Sequence, residues 1–424
     1  MSQSTEAKLA INGGEPAAAA LEVPDWPRLS AAGREHVIDC LDSTDWCKQY
    51  ADATYAQAFE EAFAAYHDAE HAIGVTNGTT AIQVALRAVG IRPGDDVLVT
   101  SYTWVSTAMA IVLCGGIPRF VDVDPNTYNL DPDAVREAIT DETAGIVGVH
   151  YAGYPMDLDE LVPICKEHDL FFIEDCAHAQ GTEWRGQKVG TFGDAGTFSF
   201  QQSKSLTAGE GGIVIMTDDR TAEMAKCVHW MGRDPGGKQG HILNSSNHRI
   251  SEFLGALLLG QLEALPEENA RRQENEAVLV EELSAIDGIT TKPRDDRITN
   301  RGYFCLNFRY DPADFAGIDR ETFVQALNEE GVPAHLGTHS AEPLYRQPAF
   351  SREQLASHIP DVADVPNYNT MYLPGVEEIS RTNVTLTHQT LLADEAGIRA
   401  IADAVRKVKT NAETLASSSR GDGS

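Results

Sequence analysis

The chain has 424 residues, 42% of them hydrophobic and 23% charged, enough apolar material for two domains or one large α/β domain with an appendage. Its net charge of −31, from 33 Lys and Arg against 64 Asp and Glu, argues against nucleic acid or an anionic membrane as a partner, since both would be repelled. Its cysteines, at 40, 47, 114, 165, 176, 227 and 305, form no C-x-x-C pair, which argues against a disulfide framework, a zinc knuckle or an iron–sulfur cluster.

The opening Met1-Ser2-Gln3-Ser4-Thr5-Glu6 lacks the basic-then-apolar form of a signal peptide, and no run of about 18 apolar residues follows. A soluble, cytoplasmic protein is the expectation. Residues 1–30, rich in Ala, Pro and Gly, are expected to lie over the surface as an arm. From about residue 50, predicted helices over 55–67, 79–89, 104–114, 132–139 and 158–168 alternate with short apolar runs. Those runs lie at 72–75, 96–100, 119–123, 145–150, 170–173, 196–200 and 212–216. Alternation of this kind predicts a mostly parallel sheet covered by helices, forming a large domain over 31–265 that closes with a helix over 251–265. Pro266 and the charged stretch 267–276 open a connecting helix into a smaller C-terminal α/β domain over 266–410. Strands over 303–310 and 383–387 and helices over 320–330 and 395–408 belong to it. Residues 411–424 read as a disordered tail.

Several segments carry chemistry. Val75-Thr76-Asn77-Gly78-Thr79-Thr80-Ala81 joins a strand to a helix. Backbone amides and threonine hydroxyls there bind phosphate well, and Gly78 lets a ligand come close, although the same residues would serve as a plain helix cap. Trp104 opens the next helix, where it could stack on a planar ring or fill the core. Asp175 ends the strand pattern Phe171-Phe172-Ile173-Glu174, at the edge where open α/β sheets collect ligands; an Asp in that place can also cap a helix. Lys204 sits between a strand-like run and the turn Gly209-Glu210-Gly211-Gly212. Ten lysines stand against twenty-three arginines, with none between Lys48 and Lys166, and arginine cannot give up its proton to condense with an aldehyde. Pyridoxal phosphate (PLP) asks for such a lysine, an acid for its pyridine nitrogen, a phosphate cup and often a stacking aromatic. All four occur, in a sensible order.

Leu9-Ala10-Ile11-Asn12-Gly13-Gly14 and the stretches 76–81, 98–107, 120–132, 173–181 and 196–212 resemble the DegT/DnrJ/StrS family of PLP-dependent sugar and cyclitol aminotransferases, nearly end to end. The resemblance implies a fold-type-I PLP transferase with a mostly parallel central sheet and a smaller C-terminal α/β domain. It implies Lys204 as the Schiff-base lysine, Asp175 as partner of the pyridine nitrogen, His178 beside the phenolic oxygen and Trp104 as the stacking aromatic. Gly78, Thr79, Thr80 and Ser199 fall where the family holds the phosphate, and no metal is called for. Asn247, in Asn244-Ser245-Ser246-Asn247-His248-Arg249, resembles the asparagine that reaches into a neighbouring subunit's site, so a homodimer with shared active sites is implied.

The implied reaction moves an amino group from glutamate or glutamine to a keto-sugar, often nucleotide-linked, or to a keto-cyclitol. The phrase 199–212 and Thr387-His388-Gln389-Thr390 look most like scyllo-inosose aminotransferases and aminohydroxybenzoate synthases. A PLP-dependent sugar dehydratase or lyase is the alternative, yet the family's dehydratases replace this lysine with histidine. A non-catalytic regulator is disfavoured because no basic patch or DNA-binding appendage exists. One segment departs from the family: Trp46-Cys47-Lys48-Gln49 lacks the usual glycine pair after the tryptophan, which leaves the acceptor open. His335 and His339 read as loop residues. Diffuse acidity with scarce lysine fits adaptation to high salt, where screening relieves self-repulsion.

Overall fold

Seven of the short apolar runs pair into one sheet. In the computed structural model, which describes residues 8–48, 55–337, 342–359 and 365–419, these are β1 (His71–Val75), β2 (Asp96–Thr100), β3 (Ile117–Val121), β4 (Thr143–Val149) and β5 (Phe171–Asp175), followed, after a hairpin of β6 (Glu183–Trp184) and β7 (Gln187–Lys188), by β8 (Ala195–Ser199) and β9 (Gly212–Met216). The order is β1-β9-β8-β5-β4-β2-β3. All neighbours are parallel except that β9 runs against both β8 and β1. The reversal has a local cause. The connection 200–211 carries no helix and folds on itself, with Phe200 N–H donating to Gly211 O at 2.8 Å and Ala208 N–H to Phe200 O at 3.0 Å. A parallel return needs a crossover, usually through a helix; a folded loop returns antiparallel.

Most of these strands are buried along their length, as expected for a sheet covered on both faces. Helix α1 (Ala31–Ser43) and α2 (Tyr55–Tyr66) lie toward one face, while α3 (Gly78–Ala88) and α4 (Ser106–Leu113) pack on the other with Ile82, Val84, Ala108 and Ile111 in the core. Helix α4 begins two residues after Trp104, so Trp104 precedes the helix it was expected to open.

The chain then enters the predicted connecting helix, Leu265–Ser284, with Pro266 in its first turn, where a missing N–H costs nothing. Beyond it β10 (Ile289–Thr291), β12 (Cys305–Tyr310), β13 (Ala334–His335) and β14 (Asn383–Thr387) make an antiparallel sheet ordered β10-β12-β14-β13, and β11 (Ile298–Asn300) pairs with β6. Helices Arg320–Glu329 and Glu395–Thr410 cover this second sheet.

Three expectations change. The tail does not lose its structure at residue 411: Ala412–Ser419 is helical, because Ala412, Leu415 and Ala416 extend an apolar stripe onto the second core. The arm is anchored, with Leu9 and Ala18 in that core and Ala10 and Ala17 N–H groups each donating to the buried Glu330 carboxylate at 2.8 Å. The segments 344–359 and 365–379, by sequence part of the C-terminal region, pack against the first sheet through Leu344, Phe350, Tyr368 and Val376, next to Phe120. Among the described residues no helix is long and apolar enough to cross a membrane.

Candidate active site

Parallel strands aim their carboxyl ends at one edge, and because β9 is reversed its first residue, Gly212, lies at that edge too, paired with both Val75 and Ser199. There the chain opens a cleft of about 690 Å³. Lining it are Gly78, Thr79 and Thr80 after β1, Trp104 and Thr107 after β2, Asp175 at the end of β5, Ser199 at the end of β8, and Lys204 in the folded loop.

Local sequence explains each placement. Asn77 caps α3, its side chain accepting from Thr80 N–H at 2.8 Å, and this leaves the first amides of an eleven-residue helix facing the cleft. A side chain at 78 would not fit: a Cβ there would stand 2.7 Å from the Ser199 Cβ. The helix end, with its positive dipole, and the Ser199 hydroxyl form an anion cradle. Asp175 is buried and doubly held, accepting from Thr107 Oγ1 at 2.8 Å and from Ala177 N–H at 3.1 Å. Burial raises its pKa, opposed by those hydrogen bonds and by the charge of Lys204. Lys204 is 8% exposed, and burial lowers its amine to about 8, with Asp175 pulling the other way. Its Nζ stands 4.0 Å above the centre of the Phe304 ring.

His178 does not line the cleft. It stacks on the far face of Phe304, centroids 4.0 Å apart at 8°, and its Nδ1 accepts from Ala152 N–H at 3.3 Å, which leaves the proton on Nε2. Trp104 is 54% exposed at the cleft's rim, so it is no core tryptophan. Asn247 is exposed and does not line the cleft; it is bridged to Trp230, while the carbonyl of its neighbour His248 accepts from Thr76 N–H at the end of β1. His335 is an exposed strand residue, while His339 and 49–53 of the departing segment lie outside the described residues. Thr107 and Phe304 were not singled out by sequence. Thr107 has a weak signal, one turn after Thr103 at the mouth of the same strand; Phe304 has none, since it comes from the start of β12.

The fit to PLP rests on this donor set. A lysine whose amine is readily neutralised, a buried carboxylate and a helix N-terminus kept free of a side chain at Gly78 stand in one cleft. Together with the sheet order they define a PLP-dependent transferase with a lysine anchor. Residues 28–391 match the model of the DegT/DnrJ/EryC1/StrS aminotransferase family, and the chain belongs to that family. It is a PLP-dependent aminotransferase. The chain is 38% identical, over 96% of its length and 99% of the relative's, to a Streptoalloteichus tenebrarius protein provisionally assigned as an L-glutamine:3-amino-2,3-dideoxy-scyllo-inosose aminotransferase. It is 35% identical, over 96% and 99%, to the L-glutamine:2-deoxy-scyllo-inosose aminotransferase of Micromonospora echinospora. Among solved structures it resembles 3-amino-5-hydroxybenzoic acid synthase with a TM-score of 0.81 and 34% identity, over 92% of this chain and 99% of that one.

Proposed function

We propose that this aminotransferase moves the amino group of L-glutamine onto a keto-cyclitol, with Lys204 as the residue that carries PLP. The observation that carries this reading is the convergence of Lys204 Nζ, the Asp175 carboxylate and the α3 N-terminus on one cleft. When bound, PLP supplies an electron sink for the carbanion at the donor's Cα. The protein's own residues do the rest. Lys204 Nζ, shifted toward neutrality, would serve as the base for the donor's Cα proton and hold that proton for its return. Asp175, held by Thr107 and Ala177, keeps a proton on the pyridine nitrogen. Gly78, Thr79, Thr80 and Ser199 would hold the phosphate and Trp104 would cover one ring face, while His178, outside the cleft lining, would act on the site only through the Phe304 ring it stacks on.

Glutamine and a cyclitol are supported by the names of the relatives, which share nearly the full length of the chain. Likeness to 3-amino-5-hydroxybenzoic acid synthase supports a second reading, a cyclic keto acceptor that becomes aromatic. Asn247, exposed and outside the lining of its own cleft, fits a homodimer in which it completes the neighbour's site. Seven free cysteines fit a reducing cytoplasm, and the acidic excess fits a salty one. The described fold supports a division near residue 265, with 344–359 and 365–379 going back to the large domain.

The test is a set of half-reactions. Holoenzyme with L-glutamine should release a 2-oxo acid in equal amount to cofactor and lose its visible absorbance, and a keto-cyclitol should restore it. Lys204→Ala should abolish both. Holoenzyme that turns over only a nucleotide-linked keto-sugar, or that releases water from a sugar without a 2-oxo acid, would overturn the reading.

A further inference from the structure

Two rings from opposite ends of the chain meet behind the Lys204 loop. Trp26 Nε1–H donates to the Lys204 carbonyl at 3.1 Å, and His388 Nε2 stands 3.2 Å from the Ser203 carbonyl. The rings touch edge to face, centroids 4.6 Å apart at 88°, and the Arg272 guanidinium lies over Trp26 at 5.6 Å. His388 is fully buried, and burial beside Arg272 holds its pKa well below the usual range. It is therefore neutral, with its proton on Nε2 directed at Ser203; its Nδ1 has no hydrogen-bond partner among the described residues. The same residue has a second hold on the site, because its backbone N–H donates to Phe304 O at 3.2 Å. Phe304 is the ring beneath the Lys204 amine.

A lysine that must both carry a cofactor and move a proton needs a free side chain on a fixed Cα. Misplacing a reacting group by even about 1 Å costs on the order of a hundredfold in rate. Local hydrogen bonds such as Lys204 N–H to Gln201 O at 2.8 Å shape the loop but do not anchor it to the rest of the molecule. Trp26 comes from the arm and His388 from the turn after β14, so each ties the loop to a different part of the structure.

The geometry points to a positioning role: Trp26 and His388, acting through the carbonyls of Ser203 and Lys204 and through Phe304, fix where the Lys204 amine stands in the cleft. This rests on the reading of Lys204 as the cofactor lysine. Neither ring reaches the cofactor; each acts through the loop. The Thr387-His388-Gln389 phrase thereby acquires a task separate from substrate choice.

The experiment uses holoenzyme carrying Trp26→Phe, His388→Phe or His388→Gln, with Lys204→Ala as a control. Gln keeps a donor near the position of Nε2; Phe keeps the ring volume and loses the donor. We expect Trp26→Phe and His388→Phe to lower kcat about tenfold with the KM for glutamine within about twofold, because ground-state binding is untouched. We also expect them to move the pH midpoint of the bound cofactor's visible absorbance and to speed amide exchange over 201–207. His388→Gln should recover most of all three. An unchanged kcat, midpoint and exchange in Trp26→Phe, with only the melting temperature lowered, would overturn the clamp, and so would equal losses in His388→Gln and His388→Phe. Should His388→Phe not fold, Trp26→Phe and His388→Gln still decide. If instead Lys204→Ala keeps the visible absorbance, the cofactor reading itself fails, a result distinct from failure of the clamp.

Discussion

Lys204 gains its chemistry from where it is buried. An exposed lysine amine keeps a pKa near 10.5 and is almost wholly protonated at neutral pH; here burial lowers it to about 8. Below that midpoint the amine is a poor nucleophile, and above it the neutral form dominates. The cofactor-free protein should therefore capture PLP faster as pH rises through about 8, and stopped-flow absorbance would read that midpoint directly. The same shift affects stability. Since the folded-state pKa is the lower one, the unfolded chain binds more protons between about 8 and 10.5, so this group's contribution to stability rises with pH across that window. Thr107 is the next residue to test. Thr107→Val removes a buried hydrogen bond to Asp175 and leaves that oxygen short of a partner, a cost of about 1–3 kcal/mol. Activity should fall by roughly ten- to a hundredfold, since each 1.4 kcal/mol of lost transition-state stabilisation is tenfold in rate. Lys204, Asp175 and Thr79 were legible because each ends a periodic segment at a predictable edge. Thr107 was not, because one of two threonines a turn apart can reach Asp175 and the pattern treats them alike.

Elements decide which of two adjacent carboxylates faces the cleft. Side chains alternate across a strand, so Glu174 and Asp175 point to opposite faces of β5. Glu174 is consumed in structure: its oxygens accept from Gly190, Phe192 and Gly193 N–H groups at 2.8–2.9 Å and meet His150 Nε2 at 2.9 Å. Asp175 faces the cleft. The α3 N-terminus is equally specific. Gly78→Ala would push a methyl to 2.7 Å from the Ser199 Cβ, on a strand that cannot yield. We expect the cofactor's dissociation constant to rise at least about tenfold by fluorescence titration, with a loss of stability on the order of 1–3 kcal/mol typical of overpacking. Helix and strand periods were readable from 55 to 216 because the apolar runs are short and bounded. The reversal of β9 was less so, since direction depends on the fold of the 200–211 loop and not on any pattern within β9 itself.

At the scale of the whole molecule the arm and the second sheet complete what the first sheet begins. Glu330 is 0% exposed and binds the arm's Ala10 and Ala17 amides together with Lys407 Nζ at 2.8 Å. Glu330→Gln should cost roughly 3–5 kcal/mol, as breaking one side of a buried ion pair does, and denaturant melts would measure it. Mixing Lys204→Ala subunits with Asn247→Ala subunits should restore activity that neither has alone, because a hybrid dimer rebuilds one intact shared site; no recovery would leave each cleft complete within its own chain. Stability should also rise with KCl, since 31 excess negative charges repel one another until screened. A protein most stable in dilute buffer would refute that.

Sequence alone determined the class of protein: phosphate turn, carboxylate and lysine in order, each beside a periodic run, because short-range pattern governs which residues reach the edge of a sheet. Tertiary structure alone decided what surrounds them. Phe304 under the amine, Trp26 and His388 behind it, and 344–359 with 365–379 against the first sheet are contacts between residues up to hundreds of positions apart. They follow from how the two sheets and the arm pack, and no local period records them.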